Sequence, residues 1–115
     1  MDRHHTSTKE EEKCIKACNE CAQVCKETLV HCVHIGGENT LPDHLEMLMS
    51  CVKMCETSAD LMTKHSSFAA QVCSLCADIC EACADSCENL DDKYMKECAK
   101  TCRNCAKICR SMAEN

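Results

Sequence analysis

The chain has 115 residues, of which 16 are cysteine and only 2% are aromatic, and its formal net charge at pH 7 is −6. Its basic residues form no run and are not interleaved with aromatic residues, so a nucleic-acid-binding role is not expected. The first ten residues contain no apolar segment, and we therefore expect a cytoplasmic protein with neither a secretion signal nor a membrane span.

The capping and turn signals predict four long helices. Thr8 and Glu11, or the pair one residue earlier, form a capping box at the start of the first helix, and Gly36-Gly37 ends it. The predicted helices cover residues of about 8–35, 41–65, 67–89 and 91–113. Because short connections make consecutive helices antiparallel, the whole chain, 1–115, is expected to be a single all-α domain: an up-down-up-down four-helix bundle with a cysteine-lined core.

The cysteines recur at alternating steps of three and four residues, which places them on one face of each helix. The motif Cys-x-x-Cys-Ala-x-x-Cys occurs four times and begins at Cys18, Cys73, Cys80 and Cys102. A protonated thiol behaves as a small hydrophobe, so these faces supply the core that the scarce large apolar residues do not.

The second helix continues this pattern with fewer cysteines. Only Cys51 and Cys55 lie on its stripe, and Leu48 and Ser58 occupy two of the other positions. Methionine and histidine replace cysteine towards the ends of the stripes, and all three side chains are ligands for soft metals. The candidate ligands are Cys14, Cys18, Cys21, Cys25, Cys32, Cys51, Cys55, Cys73, Cys76, Cys80, Cys83, Cys87, Cys98, Cys102, Cys105 and Cys109, with His44, Met62, His65 and Met95.

Several other uses of the cysteines fit the pattern less well. Side chains three or four residues apart on a helix have Cβ atoms about 5–6 Å apart, whereas a disulfide needs about 3.8 Å, so intrahelical disulfides are excluded. Thiols used only as core filler would bury less apolar area than leucine. Iron–sulfur clusters bind to irregular loops rather than to a continuous helix. A thiol redox or iron–sulfur electron carrier remains an alternative.

Zinc and Cu(I) both suit a site with many thiolates, but they differ in the net charge that they leave in the core. Each zinc held by four thiolates leaves a net charge of −2, which is costly inside a narrow apolar bundle. Cu(I) accepts two or three thiolates and replaces one proton per ion, so a core with about one copper per cysteine stays neutral. The sequence therefore favours storage or buffering of many Cu(I) ions, with a zinc or cadmium thiolate sponge as the alternative.

The chain resembles the bacterial Csp copper storage proteins over about residues 8–113. The repeated Cys-x-x-x-Cys pairs carry this resemblance: Cys14–Cys18, Cys21–Cys25, Cys51–Cys55, Cys76–Cys80, Cys83–Cys87, Cys98–Cys102 and Cys105–Cys109. It implies a cysteine-lined four-helix bundle that binds many Cu(I) ions and forms a homotetramer, in a cytosolic branch of the family. Copper chaperones or small-molecule Cu(I) ligands would then be its exchange partners.

The ends of the bundle are where copper would enter. We favour the end near the first loop, since His34 and His44 flank that loop and Met47 lies one turn further on. The sequence contains no catalytic triad, paired inward carboxylates or phosphate-binding loop, and an enzyme is not expected.

Overall fold

The computed structural model describes residues 8–114, and in this part of the chain every long element is a helix. The prediction of an all-α four-helix bundle is confirmed. The helices are α1 (Lys9–Ile35), α2 (Pro42–Thr63), α3 (Ala69–Glu88) and α4 (Lys93–Glu114), with a short 3₁₀ helix at Gly37–Thr40. Each helix packs against the next in the chain, and α1 also packs against α4, which closes the bundle. No helix among the described residues is both long and apolar enough to cross a bilayer.

The start of α1 is stabilised by the predicted capping box. The hydroxyl of Thr8 accepts a hydrogen bond from the Glu11 amide at 3.0 Å, and the Glu11 carboxylate accepts one from the Thr8 amide at 2.8 Å. At the other end Gly36 has a φ of 75° and its amide donates to the Cys32 carbonyl. Only glycine adopts this backbone conformation without strain, so Gly36 ends the helix.

The turn between α2 and α3 is longer than the sequence indicates. α2 ends at Thr63 and α3 begins at Ala69, and His65 between them has a φ of 56°. The Ser66 hydroxyl accepts a hydrogen bond from the Phe68 amide at 3.1 Å, which orders the turn ahead of α3. The stripe of α2 therefore stops before His65.

A cluster of polar side chains fastens the end of α1 to the start of α4. Asp92 caps α4 by accepting a hydrogen bond from the Tyr94 amide at 2.7 Å. Its other carboxylate oxygen lies 3.0 Å from Nε2 of His31, and the ring of His31 stacks on Tyr94 with centroids 4.0 Å apart. The hydrogen bond from His31 lowers the pKa of Asp92. Because its side chain is only 17% exposed, His31 is part of this junction and not an ordinary surface residue.

Small residues beside the cysteines allow the helices to approach closely. Alanines next to the stripes are buried on all four helices, among them Ala22, Ala59, Ala84 and Ala99. On the surface, a guanidinium nitrogen of Arg103 lies 2.6 Å from a carboxylate oxygen of Asp85, and this ion pair links α4 to α3. The close packing leaves the interior to the sulfur atoms.

Candidate metal site

All sixteen cysteines lie inside the bundle as free thiols, and none is more than 1% exposed. The stripes of the four helices therefore form one sulfur column along the axis. Helix periodicity explains this, because the three-and-four step keeps each thiol on the buried face.

The shortest sulfur–sulfur contacts run between helices. The Sγ atoms of Cys18 and Cys109 are 3.5 Å apart, and those of Cys55 and Cys76 are 3.7 Å apart. Contacts within one helix are longer, at 3.9 Å for Cys105 and Cys109. A metal ion in the column would consequently cross-link helices as well as bind along one of them.

Three sets of four sulfurs have all their Sγ atoms within 4.8 Å of one another. They are the Cys18 tetrad (Cys18, Cys76, Cys105, Cys109), the Cys55 tetrad (Cys21, Cys55, Cys80, Cys105) and the Cys51 tetrad (Cys21, Cys25, Cys51, Cys102). Neighbouring tetrads share Cys105 and Cys21, so the three comprise ten different cysteines. Shared sulfurs allow metal ions to lie side by side as a cluster.

Two non-sulfur residues interrupt the column between the tetrads and the His44 end. Leu48 fills the α2 position between Cys51 and His44, and it is fully buried. Thr28 fills the corresponding α1 position, is 2% exposed and donates its hydroxyl to the Val24 carbonyl at 2.8 Å. The sequence reasoning missed Thr28, although the three-and-four step from Cys25 to Cys32 passes through it.

His44 and Met95 form a pair of soft donors at this end. Nε2 of His44 lies 3.3 Å from the Met95 sulfur, and Nδ1 lies 2.7 Å from the Ser86 hydroxyl. His44 is 5% exposed and Met95 is fully buried. Burial lowers the pKa of His44, which favours the neutral imidazole that can bind a metal. The sequence identified both donors but not Ser86, which orients the ring.

The other predicted end ligands lie apart from each other. Met62 is fully buried at the end of the α2 stripe, whereas His65 is exposed in the turn beyond it. His34 is also exposed, and Met47 is half-buried. The structure therefore brings Met62 to the column and leaves His65 and His34 at the surface.

The metal-free protein is expected to lose stability as the pH rises from about 9 to about 11. Burial, with the charges of Asp92 and Cys98, raises the pKa of Cys32 from its ordinary value of 9.0 to about 11. Within this interval the unfolded chain releases the proton and the folded chain keeps it, so stability present below pH 9 is lost as the pH passes through 11. Anaerobic urea unfolding of the reduced protein, in one-unit steps from pH 8 to pH 11, measures this loss.

The variant Cys32→Ala is the control for this pH dependence. Other buried thiols contribute to the wild-type loss, so the free energy of unfolding of the variant should still fall with pH. Its slope should be smaller by the contribution of one titrating proton. Equal slopes for the two proteins would show that Cys32 does not titrate as described.

Residues 7–114 match the family described as Csp, copper storage protein. No curated protein sequence gives a match. A crystal structure of a protein from Nitrosospira multiformis is similar with a TM-score of 0.87 and 45% identity, over 91% of this chain and 95% of that one.

Two further similar structures belong to copper storage proteins. The Cu(I)-bound copper storage protein BsCsp3 matches with a TM-score of 0.87 and 35% identity, over 91% of this chain and 99% of its own. The metal-free copper storage protein 3 of Bacillus subtilis matches with a TM-score of 0.82 and 36% identity, over 89% and 97%.

Proposed function

This chain belongs to the copper storage protein family, and from that premise we propose that it stores and buffers many Cu(I) ions on the thiolates inside its bundle. The observation that carries the proposal is the continuous set of three tetrads, whose ten sulfurs are buried and lie close together. A structure 35% identical to this one is that of a Cu(I)-bound copper storage protein.

The chemistry of storage follows from charge. Each Cu(I) ion that binds displaces one thiol proton to solvent, so the column exchanges one positive charge for another and remains neutral at about one ion per thiol. Burial disfavours an uncompensated thiolate: neighbouring thiols, Cys83 and Cys98, together with burial raise the pKa of Cys87. The Cys87 thiol thus stays protonated until copper arrives, and there metal and proton replace each other.

We assign the sixteen cysteines as the storage ligands and the four end residues as weaker, auxiliary ones. Neutral imidazole and thioether bind Cu(I) less strongly than thiolate, which suits a position from which the ion moves inward. Met62 at one end and the pair His44 and Met95 at the other have buried donor atoms. His65 would have to turn inward from the surface to contribute.

Copper enters, in this proposal, at the end that holds His44 and Met95. The next thiols inward are Cys87 on α3 and Cys98 on α4. They offer copper a path on these two helices, since Thr28 and Leu48 interrupt the stripes of α1 and α2. Replacement of His44 by alanine should slow copper loading about tenfold while leaving the final copper content within one ion of wild type. Stopped-flow mixing with a Cu(I) complex measures the rate. The exposed His34→Ala is the control, and equal rates for all three proteins would place the entrance elsewhere.

Location, assembly and partners form the remaining parts of the proposal. Sixteen cysteines without a disulfide between them are typical of a reducing compartment, which supports a cytoplasmic protein that takes copper from chaperones or small-molecule Cu(I) ligands. Val30 and Val33 are 59% and 69% exposed on α1, and apolar surface of this kind supports a homotetramer. We propose a binding role without enzymatic activity, in a single bundle domain.

Zinc storage is the second candidate function, because a tetrad of thiolates is also the ligand set of structural zinc. Competition separates the two metals. Protein loaded with zinc, then given one Cu(I) per thiol without oxygen and passed through a gel-filtration column, should retain copper and lose nearly all its zinc. If zinc stays in the protein fraction and copper elutes later with the small molecules, the zinc sponge is favoured.

A further inference from the structure

Ser58 is the one buried side-chain oxygen or nitrogen among the described residues that has no hydrogen-bond partner. The residue is fully buried on the stripe of α2, between Cys55 and Met62. An unsatisfied buried hydroxyl destabilises a fold, and native structures contain few of them. Its place on the buried stripe of a metal-binding column suggests a use in the metal-bound state.

A helical serine usually has a local partner, the carbonyl four residues earlier. Thr57, the neighbour of Ser58, forms this bond to the Lys53 carbonyl at 2.8 Å, and Thr63 forms it to the Ala59 carbonyl at 2.8 Å. Ser58 forms no such bond. The hydroxyl is therefore left available to the interior rather than returned to its own helix.

The helix register places Ser58 beside the Cys18 tetrad. Cys55 is the preceding stripe residue, three residues or about 4.5 Å along the helix axis from Ser58. Its sulfur is 3.7 Å from Cys76 and 4.0 Å from Cys105, which are two members of that tetrad. The Cys18 tetrad draws its sulfurs from α1, α3 and α4 alone, whereas the other two tetrads each include an α2 cysteine. By helix register, Ser58 is the next α2 stripe residue beyond Cys55 on the side of this tetrad.

We propose that Ser58 is a positioning residue for copper in the Cys18 tetrad: its hydroxyl donates a hydrogen bond to a thiolate sulfur once copper has replaced the thiol protons. This inference rests on the proposed function. A hydroxyl is too hard a donor to compete with thiolate for Cu(I), so it acts on the sulfur and not on the metal. Every proton displaced goes to solvent, and the sulfur that keeps most negative charge accepts the bond, which is stronger for a charged acceptor.

The consequence is an opposite effect of one side chain on the two states. Without copper, Ser58→Ala removes an unsatisfied hydroxyl, so the thermal midpoint of the metal-free protein should rise by about 5 °C. With copper, the same change removes a bond to a thiolate, so the ions of the Cys18 tetrad should bind about tenfold more weakly. A serine with a purely structural role would shift both states in the same direction.

The experiment combines thermal unfolding of metal-free protein with anaerobic competition against a chromogenic Cu(I) chelator. Thr57→Ala, which removes the adjacent hydroxyl outside the column, is the matched control and should leave copper affinity unchanged. Ser58→Cys supplies the missing α2 thiol and should raise the copper capacity by about one ion per chain. Circular dichroism establishes that each variant is folded.

The outcomes separate this inference from the function on which it rests. Wild-type protein that takes up no more than one or two ions would refute the storage function itself. If wild type binds many ions, the inference is overturned by a Ser58→Ala variant with undiminished affinity, by a lower midpoint of that variant without metal, by an equal loss in Thr57→Ala, or by a Ser58→Cys variant with no added capacity.

Discussion

Replacing Cys21 and Cys105 together by alanine is expected to remove far more copper binding than the loss of two thiols out of sixteen. Each of these residues belongs to two tetrads, so the double variant leaves none of the three sets of four intact. The Cys21 sulfur lies 3.9 Å from that of Cys51 on α2 and 3.8 Å from that of Cys102 on α4, so it contacts sulfurs of two other helices. We expect the tightest ions to be held at least about tenfold more weakly and the capacity to fall by clearly more than two ions.

The matched control removes the same number of thiols from outside the tetrads. Cys32 and Cys87 are fully buried like Cys21 and Cys105, but neither belongs to a tetrad. Their double replacement by alanine should lower the capacity by about two ions and leave the tightest binding unchanged. Chelator competition under anaerobic conditions measures both quantities. Equal losses in the two double variants would mean that the thiols bind copper independently and that the tetrads have no special role.

Copper is expected to raise the thermal midpoint of the protein by more than about 20 °C without changing its helix content. A ligand present at a thousand times its dissociation constant contributes about 4 kcal/mol per site, and several sites act together here. For domains of up to about 100 residues each kcal/mol corresponds to roughly 4–8 °C, and this chain is only slightly longer. Because the bound ions link cysteines of different helices, unfolding requires their release.

The metal-free protein should already be a folded bundle, since the caps and the buried thiols do not need metal. The Thr8 capping box and the hydrogen bonds of Asp92 at the start of α4 involve no side chain of a candidate metal ligand. Circular dichroism with and without copper, followed by removal of copper with a chelator, tests this. A coil-like spectrum that becomes helical only with copper would instead indicate folding coupled to binding.

The sequence predicts the fold well because a single residue type, cysteine, recurs with the period of the α-helix. Cysteines at steps of three and four leave only one helical face for the core, and the cap at Thr8 follows from the short local pattern around it. The family membership that the cysteine pairs suggested is confirmed by the family match over residues 7–114.

The ends of the column could not be predicted in the same way, because they depend on where each helix stops and on what it meets. His65 lies on the extended α2 stripe in sequence, yet α2 ends at Thr63 and the side chain is exposed. The bond between His44 and Ser86 joins α2 to α3, and no spacing within either helix reveals it. The grouping of sulfurs into shared tetrads likewise depends on the relative heights of four helices.

Anaerobic titration of the reduced, metal-free protein with Cu(I) in the presence of a chromogenic chelator tests the storage function most directly. If the thiolates of the column are the ligands, the chelator should remain uncoloured until about one copper per thiol, on the order of sixteen ions per chain, has been added. Saturation at one or two ions would contradict the account.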